Sequence, residues 1–232
     1  MICFGPSHRF AAAASGRFKI TGIVNENNKF NQALYDFSIL KKIEYFPISS
    51  NEDFKNLFWR ADLGLSFGFG KIFDENQIGG FKKGIWNVHP GKLPNYRGRH
   101  TVGWALLNGE PQLTVSLHAI NKKIDSGMLL AEEAVTLSCL DSQVEVERLV
   151  ENVACGDLLD AGIETELSGN KTKIADGPYL GSLTDKWNIV DPSEMEGEFL
   201  YRLMKTKKKY GGVIVGKKRY QDCLFVCEGA RD

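Results

Sequence analysis

The sequence predicts an α/β protein: a doubly wound, mostly parallel sheet followed by a small C-terminal region of helix plus hairpin. Three observations carry that expectation. Strand-like and helix-like stretches alternate through the first half, which is how parallel strands are connected. Over 232 residues the chain is 43% hydrophobic and 25% charged, ordinary values that exclude wholesale disorder, collagen and coiled coil. A turn-rich stretch after Ser168, GNKTKIADGPYLG, divides residues 1–170 from residues 171–232.

MICFG reads as a first buried strand. The start, MICFGPSHRFAAAASG, mimics a signal peptide only weakly, because His8 and Arg9 interrupt the apolar stretch. FKITGIV is a β-branched strand ending in the turn-prone NENN. NQALYDFSILKKI then places Ala33, Phe37 and Leu40 at helical spacing. EYFPIS is a short strand whose Pro47 suggests an edge or a strand end. NEDFKNLFWR is a helix with Asn51 as its cap. LGLSFGFG and GIWNVHP are strands, and HTVGWALLNG is a helix stopped by Asn108-Gly109. QLTVSLHAI and MLLAEEAVTL are strands, and one helix runs through QVEVERLVENVACGDLLDAGI. The tail carries a helix over 192–204, opening with Pro192 in its first turn. A hairpin, VIVGKKRYQDCLFV, follows and offers an apolar edge suited to a homodimer.

Lys plus Arg is 29 and Asp plus Glu is 29, so the accumulated positive charge that nucleic-acid binding needs is absent. The one basic run, Lys205 to Lys209, reads as a solvated helix end. No segment reaches the roughly 18 apolar residues of a membrane span. Five scattered cysteines (Cys3, Cys139, Cys155, Cys223, Cys227) make neither a disulfide framework nor a zinc site, which suits a reducing cytoplasm. No metal site is expected.

The chemistry concentrates in WNVHPGKLPNYRGRHTVGWALLNGEPQLTVSLHAINKKIDSGMLL. Asn87 and His89 stand at i and i+2, on one face of a strand that Pro90-Gly91 ends, at the rim where α/β sheets bind ligands. Asp125 sits in the loop KKIDSG, at a rim where its carboxylate is expected to stay partly solvated. An amide donor, a titratable base and an orienting carboxylate are the parts needed to move an acyl group directly onto an amine. Spacing alone leaves the bland reading open, since Asn-x-His at a strand end is commonplace and Asp-Ser-Gly is ordinary turn chemistry. His118 and His100 read as structural: one lies on a strand's polar face, the other opens a helix.

The segment resembles the central motif of the formyltetrahydrofolate-dependent formyltransferases, and is most similar to that of the sugar N-formyltransferases. The matched positions are Asn87, His89, Pro90, Leu93-Pro94, Tyr96-Arg97-Gly98, Trp104-Ala105, Asn108-Gly109-Glu110 and Asp125-Ser126-Gly127. The resemblance implies a Rossmann-like formyltransferase domain over 1–170, with Asn87, His89 and Asp125 as the catalytic trio. It implies N10-formyltetrahydrofolate as formyl donor, contacted by Phe69, Lys71, Ile72, Phe73, Arg99 and the loop Asn121, Lys122, Lys123, Ile124, Asp125. Gly68 and Gly70 would let backbone amides approach a flat heterocycle. Tyr96 and Arg97 are the implied substrate contacts.

Three branches differ in the acceptor. Methionyl-tRNA formyltransferases carry a further basic barrel, for which the roughly 60 residues after the core leave no room. Phosphoribosylglycinamide formyltransferases have a Gly-Ser-Asn loop where this chain reads GPSHRF, and formyltetrahydrofolate hydrolases add an N-terminal regulatory domain. The tail GPYLGSLTDKWNIVDPSEMEGEFLYRLMKTKKKYGG resembles the sugar enzymes. The expectation is therefore a cytoplasmic, homodimeric enzyme acting on a nucleotide-linked amino sugar. The resemblance further implies a dTDP-amino sugar and a place in O-antigen or lipopolysaccharide biosynthesis. The alternatives are another amine (phosphoribosylglycinamide or methionyl-tRNA) and a folate-binding module without catalysis.

Overall fold

The computed structural model describes residues 1–57, 59–138, 141–184 and 186–220. The chain begins with β1 (Ile2–Phe4), α1 (His8–Ser15), β2 (Gly22–Glu26), α2 (Gln32–Lys41), β3 (Glu44–Ile48), α3 (Asn51–Asn56) and β4 (Gly64–Phe67). The middle contributes α4 (Glu75–Gly79), β5 (Ile85–His89), β6 (Arg97–Gly98), α5 (Thr101–Asn108), β7 (Gln112–Ala119) and β8 (Met128–Thr136). Then come α6 (Gln143–Cys155), α7 (Leu158–Ser168), β9 (Thr172–Lys173), β10 (Tyr179–Leu180), α8 (Gly197–Lys207), β11 (Val213–Val215) and β12 (Lys218–Tyr220).

The main sheet runs β3-β2-β1-β4-β5-β7-β8-β9. Its first five strands are parallel and β7, β8 and β9 are antiparallel additions. Pro47 does lie on the edge strand β3. This is the Rossmann-like architecture expected from the alternation of elements. One hydrophobic cluster joins the sheet to α1, α2, α6 and α7; a second, aromatic one holds Phe4, Phe54, Trp59, Phe73 and Phe81. The β1, β2, β4 and β5 strands all end at the same rim, and the residues just past them line a cavity of about 1170 Å³.

Several local expectations are corrected. The buried face of α2 is Leu34, Phe37 and Ser38, while Ala33 is exposed and Leu40 is 77% exposed. Both sets fit helical spacing, so periodicity alone could not choose between them. The cap of α3 is Ser50, one residue earlier than expected, in a capping box with Asp53. The long helix after β8 is two helices, because Gly156 leaves the helical region (φ −91°, ψ −142°) and α7 restarts after it. The tail helix begins at Gly197, and Pro192 opens a separate short 3₁₀ turn capped by Asp191.

The turn-rich stretch after Ser168 is not a free connection. β9 extends the main sheet beside β8, and β10 pairs with β6. Beyond it, α8 packs on α5 through a third cluster that includes Trp104, Leu107, Leu183, Leu203, Met204 and Val213. The hairpin forms as Val213–Val215 against Lys218–Tyr220, with Val213 turned into that cluster. Its expected continuation over 221–226, and Cys139, Cys223 and Cys227, lie outside the described residues. Among the described residues Cys3 and Cys155 are free thiols, and no helix is long and apolar enough to cross a membrane.

The basic run is not a wholly solvated helix end. Lys207 is 0% exposed, and its ammonium donates to the carbonyls of Leu183 (3.0 Å), Thr184 (3.0 Å) and Lys186 (2.9 Å) and to Asn188 Oδ1 (2.6 Å). These four oxygens replace the lost hydration of a buried charge. They also tie the 183–188 segment to α8. Lys207→Met keeps much of the volume but leaves those oxygens without their donor. It should destabilise the protein by about 2 kcal/mol, or about 4–8 °C in melting temperature, measured by thermal denaturation.

Candidate active site

Asn87 and His89 come from β5, and both line the cavity as their i, i+2 spacing requires. The turn that ends β5 is fixed by Ser116, whose hydroxyl donates to the Gly91 carbonyl (2.8 Å). His89 is buried, and its Nε2 is in contact with the Tyr96 carbonyl, which can only accept. That assigns the proton of the neutral ring to Nε2 and leaves Nδ1 as the basic nitrogen. Nδ1 lies 3.8 Å from Asp125 Oδ2.

Asp125 is delivered by the β7–β8 loop in a left-handed conformation (φ 48°) that Asp tolerates better than most residues. Three contacts hold the loop. A Cβ on Gly127 would sit 1.8 Å from the Ala119 carbonyl oxygen, so only glycine lets the loop close on the end of β7. Arg97 is buried and donates from Nε (2.9 Å) and Nη2 (2.6 Å) to the Ile124 carbonyl and from Nη1 to Gly177 (3.1 Å). The Gly98 amide donates to Asp125 Oδ2 (2.9 Å).

His118, which reads as structural in the sequence, belongs to this cluster. It faces Asn87 across the β5–β7 pairing. Its Nε2 lies 3.4 Å from Asn87 Nδ2 and 3.5 Å from Asp125 Oδ1, and it is 1% exposed. The signal that could have found it is the Asn87–His118 register, which needs the strand pairing to be known.

Burial pushes the His89 imidazole below its ordinary range, and the neighbouring His118 adds to the effect, while Asp125 opposes it. The ring is therefore neutral and able to accept a proton near pH 7. For Asp125, burial alone would raise the pKa. The hydrogen bond from His118, the charges of both imidazoles and the Gly98 amide outweigh burial and hold it at about 2. The expectation of a partly solvated carboxylate is corrected, since this side chain is only 10% exposed.

The other expected residues divide into two groups. Phe69, Lys71, Ile72, Phe73, Arg99, Asn121, Lys122 and Ile124 line the cavity with the trio. Lys123 does not; it is paired with Asp176 outside. The Gly70 amide is taken by Glu26 (3.0 Å), so of the two expected glycines it is not the one offering a free donor. Tyr96 and Arg97, implied as substrate contacts, do not line the cavity either. The Tyr96 hydroxyl donates to Glu110 (2.6 Å) and accepts from Asn108 (3.1 Å), which ties the Tyr-Arg-Gly and Asn-Gly-Glu parts of the motif together. Burial and Glu110 push this phenol up to about 12. Both residues thus position Asp125 and His89 from behind.

Both the sequence and the fold have counterparts among known proteins. Residues 50–159 match the family model described as formyl transferase. A methionyl-tRNA formyltransferase of Borrelia garinii subsp. bavariensis is 32% identical over 166 residues, 71% of this chain and 52% of that protein. The chain spans between 31% and 52% of the length of the curated relatives it matches. Among solved structures, an N-formyltransferase of Helicobacter canadensis, in complex with folinic acid and dTDP-3-aminofucose, superposes with a TM-score of 0.73 at 16% identity. That alignment covers 95% of this chain and 86% of the other. A sugar N-formyltransferase of a Shewanella species gives a TM-score of 0.70 at 15% identity, covering 97% and 98%. At these identities the likeness shows a shared fold.

The buried carboxylate has a measurable signature. Its folded pKa of about 2 lies below the ordinary 3.8, so its stabilisation is full above 3.8 and is lost as pH falls to about 2. That shift corresponds to about 2 kcal/mol. Asp125→Asn should lower stability by about this amount at pH 7. Equilibrium denaturation at several pH values should show the gap to wild type closing between 3.8 and about 2.

Proposed function

We propose that this chain, whose residues 50–159 belong to the formyl transferase family, is an N-formyltransferase that moves a formyl group from N10-formyltetrahydrofolate to the amine of a nucleotide-linked amino sugar. The observation that carries the reading is one continuous cavity. It runs from an apolar end at Phe69, Ile72, Phe73 and Ile120, past Asn87, His89 and Asp125, to a polar end at Arg99, Arg148 and Lys209. Two reactants can therefore meet at the trio without a covalent enzyme intermediate.

The apolar end suits a flat heterocycle. Ile72 is 65% exposed and Ile124 36%, large apolar side chains that only a ligand would cover, beside the rings of Phe69 and Phe73. Bound there, the folate would supply the formyl group. Asn87 Nδ2 stands as a donor for an oxygen that gains negative charge. His89 Nδ1 takes the proton of the attacking amine, the imidazolium so formed is stabilised by Asp125, and that proton would pass to N10 as the carbon–N10 bond breaks and tetrahydrofolate leaves. Tyr96 O and the Gly98 amide hold the two partners in register.

The sugar acceptor is supported over methionyl-tRNA by two observations. The likeness to sugar N-formyltransferases runs through the C-terminal region, whereas the match to the Borrelia methionyl-tRNA enzyme covers 71% of the chain. A formal net charge of zero gives no broad footprint for tRNA.

Incubation with N10-formyltetrahydrofolate and a panel of nucleotide-linked amino sugars should yield a formylated product by mass spectrometry. Formate release without any acceptor, and no product on the panel, would replace the assignment with a hydrolase. His89→Ala should lower kcat by about 10²–10⁴-fold with folate affinity unchanged. Because burial lowers the His89 pKa, the acid limb of the wild-type kcat/KM profile should fall below pH 6.5.

A further inference from the structure

The charges lining the polar end of the cavity do not cancel. At that end Glu147 is paired with Lys209 and Glu151 with Arg9; beside the Gly68–Gly70 loop Glu26 is paired with Lys29, Lys71 donates to Asn51, and Lys122 is paired with Glu75. Arg99 and Arg148 line the same cavity and have no ion-pair partner among the described residues. Two guanidinium groups are thus left over in a chain whose net charge is zero.

Arg99 directly precedes an uncapped helix start, and Arg148 lines the same cavity from α6. His100 is the N-cap of α5 in a left-handed conformation (φ 56°, ψ 32°), and its side chain makes no capping hydrogen bond. Instead its Nδ1 accepts from the Leu183 amide (3.0 Å). The first helical bond is Trp104 N–H to the His100 carbonyl (2.9 Å), so the amides of Thr101, Val102 and Gly103 find no acceptor among the described residues. Thr101 is 3% exposed and lines the cavity, yet its hydroxyl makes no hydrogen bond among the described residues. An unpartnered hydroxyl of a nearly buried side chain on the cavity wall, beside free amides and the positive end of a helix, suits negatively charged oxygens.

We propose that the first turn of α5, with Thr101, Arg99 and Arg148, is an anion subsite that holds the phosphate groups of the acceptor. The proposal rests on the reading above only for the identity of the acceptor. The subsite begins at Arg99, directly after Gly98, whose amide binds Asp125. An anion seated there would place the rest of the acceptor against the trio. The folate's own carboxylates are the other source of the same chemistry, and the test separates them.

Inorganic pyrophosphate and 5-formyltetrahydrofolate are titrated separately into the full chain by calorimetry. The proteins are wild type, Thr101→Val, which removes the hydroxyl at nearly constant volume, and Arg148→Gln, which leaves the helix untouched. Pyrophosphate should bind the wild type and weaken about tenfold or more in each variant, with folate affinity and melting temperature unchanged. No binding by wild type, or equal binding by all three, overturns the subsite. Loss of folate affinity, alone or together with that for pyrophosphate, overturns the assignment to the acceptor. Failure of the two readings is distinguishable. Thr101-dependent pyrophosphate binding without formylation of any amino sugar keeps the subsite and removes the function. Formylation with an unchanged acceptor KM in both variants keeps the function and removes the subsite.

Discussion

The buried carboxylate of Asp125 is the constraint on which the rest of the site depends. A charge this far from water survives only if hydrogen-bond donors and cations surround it. Here the Gly98 amide donates to it, and the imidazoles of His89 and His118 lie 3.8 and 3.5 Å away, placed to pair with it when protonated. Each of those partners must in turn be held. The loop closes on Ala119 because residue 127 is glycine, Arg97 clamps the Ile124 carbonyl, and β5 and β7 bring His89 and His118 to opposite sides of the carboxylate. Residues with no access to the cavity are therefore as necessary to its geometry as those that line it.

The same logic explains the density of the central motif. Tyr96 serves twice, through a carbonyl that orients His89 and a hydroxyl that reaches Asn108 and Glu110. The two ends of α5 are thereby tied to His89: its C-terminal turn through Asn108, its N-terminal turn through the backbone that continues from Gly98. The C-terminal region adds a second brace. Lys207 gathers the 183–188 segment, Leu183 donates to His100, and His100 stands on the cavity wall. A region that reads as an appendage thus shapes the polar end of the site.

The electrostatic division of the cavity follows from the fold. The apolar wall comes from the loop after β4, and the polar wall comes from α5, α6 and the segment after α8. The chain has as many acidic as basic residues, so binding of an anion depends on local pairing and not on net charge.

The sequence by itself determined most of the elements and the common face of Asn87 and His89. Alternating strand and helix patterns, the stops at Pro90 and Gly109, and the i, i+2 placement of Asn87 and His89 are local properties that backbone geometry and side-chain periodicity impose on neighbouring residues. Local patterns could not say which of two spaced faces of α2 meets the sheet. Nor could they show that Gly156 breaks a long amphipathic stretch. What only the tertiary structure decided are juxtapositions between residues far apart in the chain. His118 faces Asn87 through a register set by pairing β5 with β7. Lys207 is buried because four oxygens from one distant segment converge on it, although lysine in a basic run is ordinarily solvated. Tyr96 and Arg97 turn away from the cavity because Glu110 and the 124 and 177 carbonyls claim them first. Burial of a polar group is decided by whether partners exist for it, and those partners are supplied by the fold.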